Sequence, residues 1–75
     1  MSHETIRQEC QALGLDVHQE PATGRKDWNA IGNGVRVYWS TTDTGYVIGL
    51  PRVIYRGIDT HARTLREIRY LVKEA

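Results

Sequence analysis

Residues 35–40, VRVYWS, repeat with a period of two: Val35, Val37 and Trp39 fall on one side of an extended chain, Arg36, Tyr38 and Ser40 on the other. In a chain of 75 residues this pattern leaves few folds open. A strand with one apolar face must set that face against a second layer, and a domain near the lower size limit has material for one small sheet and one covering layer. The covering layer is legible further on. Residues 64–75, TLREIRYLVKEA, place Leu65, Ile68, Leu71 and Val72 on one stripe of a helix.

The rest of the chain fits around these two pieces. Ser2 suits an N-cap, and Ile6, Cys10 and Leu13 share a helical face, which predicts a helix over residues 3–13. Gly14 stands where a left-handed residue ends such a helix, with Leu15 placed to pack back on Cys10. Leu15, Val17 and Gln19 alternate with Asp16 and His18, a short strand that stops before Pro21. Residues 21–27 read as a polar loop and residues 28–31 as another short strand, the alternative being one long loop over 21–34. Asn33-Gly34 is the strongest hairpin signal in the chain. After the turn TTDTG, residues 46–50 are expected as a strand, Pro51 limits its pairing, and a further strand over 53–55 closes at Gly57. Asp59 or Thr60 is the expected cap of the last helix. The predicted fold is α+β, in the order α-β-β-β-α. An antiparallel sheet of about three to four strands packs against the C-terminal helix, with an N-terminal helix alongside.

Composition narrows the functional classes. The chain reads as one domain over residues 1–75, ordinarily globular at 40% hydrophobic and 25% charged, and a single Cys10 cannot form an internal disulfide framework. Cys10 reads as a small core residue. No apolar run is long enough to cross a bilayer, and the opening MSHETIRQE does not read as a secretory leader, so a cytoplasmic protein with no membrane partner is expected. Net charge is +1, unevenly spread: residues 1–34 carry three basic groups against five acidic, residues 35–75 seven against four.

Neither metal nor catalytic chemistry finds a motif. His3, His18 and His61 lie on three separate predicted segments, so no metal site and no cofactor is expected. Nucleophile and phosphate-loop patterns are absent from the sequence, and Asp43 and Asp59 sit in predicted turns. The expectation is a protein that is not an enzyme. Two surfaces remain. Six aromatic residues occur without one Phe, and Tyr, Trp and Arg are the residues that interfaces favour. Tyr38, Trp39, Tyr46 and Tyr55 with Arg36 are therefore the candidate partner-binding set, since alternation forces either Tyr38 or Trp39 away from the core. At 100° per residue Arg63, Arg66, Arg69 and Lys73, with Tyr70 among them, fall along one flank of the last helix, a candidate nucleic-acid surface or simply a solvated flank.

The stretch Gly45-Tyr46-Val47-Ile48-Gly49-Leu50-Pro51, followed by Gly57-Ile58-Asp59-Thr60 and a helix containing Glu67, resembles HicB-type antitoxins over residues 35–75. The resemblance implies a strand–strand–strand–helix unit, a partial RNase H-like domain, that is non-catalytic and occludes a small partner such as a toxin ribonuclease. In this chain Ile58 stands inside the family's Gly-Asp-Thr turn. The order helix, three strands, helix also resembles a double-stranded-RNA-binding domain, with His61, Arg63 and Arg66 where a lysine cluster is usual. The reading that follows is a regulator or inhibitor that occupies a protein partner, a toxin or a host factor. It would act as an antitoxin, or as phage-encoded inhibitors of host systems do. A nucleic-acid-binding protein and a self-associating subunit, such as a homodimer, are the alternatives.

Overall fold

The computed structural model describes residues 1–20 and 26–74. Helix α1 spans His3–Ala12. It starts where Ser2 Oγ accepts the Thr5 backbone N–H at 3.2 Å, which satisfies one of the donors a helix leaves open at its start. It ends in paired backbone bonds, Gly14 N–H to Gln11 O at 3.0 Å and Leu15 N–H to Cys10 O at 3.0 Å, the Schellman closure that a glycine at residue 14 permits.

Five strands follow: β1 Asp16–Gln19, β2 Lys26–Gly32, β3 Val35–Thr41, β4 Arg52–Tyr55 and β5 Ile58–Asp59. They form one antiparallel sheet in sequence order. The β2–β3 hairpin turns on Asn33 and Gly34, at φ 51° and 76°, the mirror-image turn whose twist matches flanking strands. The sequence is thus α+β as expected, with five strands where three to four were counted. The long-loop alternative for 21–34 fails, because Lys26 and Asp27 already belong to β2; the rest of the expected 21–27 loop lies outside the described residues.

Two expectations are corrected. Residues 46–50 are not a strand of the sheet: only single bridges form, Tyr46 with Ser2 and Val47 with Thr41. Gly49, at φ 67°, turns the chain out of the extended region, and Pro51 has no N–H to give a ladder. Pairing between β3 and β4 stops at Tyr38–Arg52, and residues 42–51 make an excursion between them. The second correction concerns α2, which spans Leu65–Glu74 and is capped by Thr64, not by Asp59 or Thr60. Glu67 N–H donates to Thr64 Oγ1 at 3.2 Å, while Glu67 Oε1 accepts the Thr64 N–H at 3.2 Å and its hydroxyl at 2.9 Å. This is a capping box, and Thr64-Leu65-Arg66-Glu67 spells it in the sequence.

The core lies between one sheet face and both helices. Val35, Val37 and Trp39 are buried as their alternation requires, joined by Ala30 and Val53 from the neighbouring strands. Ile6 and Cys10 of α1 and Ile68 and Val72 of α2 close over them. Ile68 is fully buried, worth roughly 1.5–3 kcal/mol by area removed from water. The helices are tied to each other by Arg69, whose Nε donates to Glu9 Oε1 at 2.6 Å.

Candidate partner-binding surface

Strand register decides what each sheet face presents. Trp39 pairs with Trp28, and the two share the inner face. Trp39 is only 3% exposed, and its indole N–H donates to His3 Nδ1 at 3.0 Å. Trp39 is therefore removed from the candidate partner-binding set: its ring fills the core and its one polar atom is satisfied there. Trp28 is half-buried, donates its own indole N–H to Thr41 Oγ1 at 3.0 Å, and stacks on His3 with ring centroids 4.2 Å apart. Tyr55 pairs with Val35 and so belongs to the inner row; it is half-buried, with the Arg56 guanidinium 5.3 Å from its ring centroid. It does not join a surface with Tyr38.

The outer face carries Arg36 and Tyr38 together. One row across the sheet is Ile31, Arg36, Ile54; the next is Asn29, Tyr38, Arg52. Arg36 is exposed and donates from Nη1 to the Tyr38 hydroxyl at 3.1 Å. Neither helix covers this face. Instead the 42–51 excursion borders it, pinned by Ile48 N–H to Ser40 O at 2.8 Å. A groove of about 460 Å³ results, lined among others by Glu20, Tyr38, Ser40, Ile48, Leu50 and Arg52. Leu50 is 66% exposed and Ile48 46%, large apolar residues that a monomer would ordinarily bury. Tyr46, also exposed, sits at the far end of the same excursion, beside Ser2.

Sequence reasoning missed Ile48 and Leu50 because it placed residues 46–50 inside the sheet. The one available signal was the pair Gly49 and Pro51, which a paired strand would not choose. Asn29, on the same face, is buried; its amide donates to Glu20 Oε1, and its Oδ1 has no hydrogen-bond partner among the described residues.

The basic flank of α2 divides. Arg63 is half-buried, with Nη1 2.8 Å from Ala62 O and 3.5 Å from Asp59 Oδ1. Arg69 is taken up by Glu9. Arg66, Tyr70 and Lys73 are exposed, and neither Arg66 nor Lys73 has an ion pair among the described residues. The flank thus offers two open cations where the sequence suggested four.

The titratable groups elsewhere are structural. The His61 backbone N–H, then Arg52, and the nearby Arg63 hold the Asp59 carboxyl down at about 2. Burial, with Glu9 nearby, pushes the Cys10 thiol up to about 12, so it stays protonated as a core residue. Among the described residues no group of three His, Cys, Asp or Glu could hold a metal ion. Among them too, no helix is long and apolar enough to cross a membrane.

No family model, curated protein or solved structure matches the chain. The segments that carry the antitoxin resemblance take a different local form here. Residues 45–51 are a loop with two single bridges, and Asp59 ends a strand and does not cap the helix.

Proposed function

We propose that this protein is a non-enzymatic binding module, a regulator or inhibitor that occupies a partner protein's surface with the open face of its sheet. The observation that supports it is the outer groove, where Tyr38 and Arg52 stand beside exposed Ile48 and Leu50, Arg36 bonds to the Tyr38 hydroxyl, and no helix among the described residues lies above them. Aromatic and arginine side chains around an apolar centre are the composition of binding hot spots. An antitoxin that blocks a small toxin, or an inhibitor of a host factor, works in this way. A homodimer through the same face is the competing occupant.

Affinity capture from lysate of the native host, with nuclease present, tests the reading. Wild-type protein is expected to hold one stoichiometric protein other than itself. Tyr38→Ala combined with Leu50→Asp should lose it while keeping the native circular dichroism spectrum. Undiminished capture by that variant would sink the outer-face reading, and a concentration-dependent sedimentation mass without any captured protein would make the partner a second copy.

A nucleic-acid surface is the second reading, supported by exposed Arg66, Tyr70 and Lys73 on α2. It requires capture that nuclease abolishes. It also requires a salt slope that falls by about 0.9 for each phosphate contact when Arg66 and Lys73 are replaced by Ala.

A further inference from the structure

The excursion that carries Ile48 and Leu50 is held on two sides, by β3 through Ile48 N–H to Ser40 O and the Val47–Thr41 bridge, and by the start of the chain from outside the sheet. Residues 1–3 run beside it: His3 N–H donates to Gly45 O at 2.8 Å, Val47 N–H donates to Met1 O at 2.9 Å, and Ser2 bridges Tyr46. This short clasp is anchored through the His3 ring, which lies against Trp28 and Trp39. The anchor has a defined protonation state. Trp39 Nε1–H can only donate, so His3 Nδ1, 3.0 Å away, must accept, and the imidazole is neutral with its proton on Nε2. A second proton would land on Nδ1 and set two donors against each other.

We infer that protonation of His3 opens this clasp, leaving the 45–50 segment held by β3 alone and loosening the Ile48 and Leu50 side of the outer groove, so that partner binding weakens as pH falls. The inference rests on the outer-face reading for its functional half; its structural half stands without it. Four features around the ring bear on the titration. Burial disfavours the imidazolium, and so do Arg7 of α1 and Lys26 of β2, while Glu4 of α1 favours it; together they lower the His3 pKa from 6.5. The Trp28 face also favours a cation stacked on it. On the excursion Tyr46, a phenol, is bridged to Ser2 through the backbone, and from β3 the contact with the ring is the indole of Trp39. With the folded value below the unfolded one, neutral His3 contributes stability fully above pH 6.5, and that contribution is lost as pH falls through the folded value.

The test is a nitrogen-15 NMR titration of the free protein from about pH 8 to about pH 5, across the range in which histidine titrates. The Trp39 indole N–H and the amides of Gly45, Tyr46, Val47 and Ile48 should move together, with the His3 ring carbons, through one midpoint below 6.5. In His3→Gln the side-chain oxygen keeps an acceptor for Trp39 and carries no titrating proton, so these signals should stay still. Loop amides that ignore the His3 midpoint in wild type would overturn the clasp, and that result needs no variant to fold. So would loop amides that titrate unchanged in His3→Gln, since a group other than His3 would then be the cause. The functional half is read on the captured complex, which should be retained several-fold less at low pH by wild type and equally at both ends by His3→Gln. Movement of the loop without any change in capture would overturn the regulatory half and leave the outer-face reading intact; no capture at any pH would overturn that reading and leave the clasp intact.

Discussion

Tyr38 and Trp39 are adjacent on β3, and the two faces they belong to have opposite fates. On the Trp39 side both indoles are answered from within. The indole N–H of Trp39 goes to His3 and that of Trp28 to Thr41, and Ile6, Cys10, Ile68 and Val72 fill the space above. On the Tyr38 side the hydroxyl is met by Arg36, a flexible and exposed side chain, and the apolar neighbours Ile48 and Leu50 stay largely in solvent. The comparison teaches that aromatic identity alone does not mark an interface. What separates the faces is whether a second layer exists to complete each polar atom and cover each ring, and the described residues supply helices for one face only.

The sharpest way to break the comparison is to truncate both aromatics. Trp39→Ala should cost about 3–5 kcal/mol, as a large buried ring does when removed from a packed core, and should leave the domain partly unfolded. Tyr38→Ala should cost less than about 1 kcal/mol. Urea unfolding of both variants measures the difference, and equal losses would mean that the outer face is packed as tightly as the inner one. A smaller effect is expected at the cap that lets α2 cover the inner face. Thr64→Ala should cost about 1 kcal/mol, while Thr64→Ser, which keeps the oxygen, should be close to neutral. A silent Thr64→Ala would show that α2 is held by its apolar stripe alone. The smallest effect belongs to the clamp between the helices. The Arg69–Glu9 pair is partly exposed, at 47% and 22% for the two side chains, so Arg69→Ala should lower the thermal midpoint slightly at low salt and not measurably at high salt. A large loss that salt leaves unchanged would mean that Arg69 acts through packing of its stem over the core.

Much of this architecture was readable locally. The Ser2 cap, the Gly14 ending, the Asn33-Gly34 hairpin and the alternation over 35–40 each depend on a few neighbouring residues, and each appears where the sequence puts it. The Thr64–Glu67 capping box was equally local, yet Asp59 and Thr60, good cap residues themselves, drew the helix start too early. Asp59 serves instead as an acceptor for His61 N–H and a partner for Arg52. The excursion over 42–51 was harder to read, because Tyr46, Val47, Ile48 and Leu50 have strand propensity and only Gly49 and Pro51 speak against it.

The sequence by itself therefore determined both helices, the β2–β3 hairpin, the buried stripe of each, and the α+β class, because hydrophobic period and capping chemistry act over a turn or two. Alternation puts Trp39 in register with Val35 and Val37 on the buried side and Tyr38 on the other. The partner of the buried indole N–H was settled only in three dimensions, where His3, 36 residues away along the chain, arrives to accept its hydrogen bond. The exposed pair Ile48 and Leu50 likewise exists because a long connection, released from the ladder beyond Arg52, comes to rest against an open sheet face. Contacts of that separation are set by how the layers stack, and no local pattern encodes them.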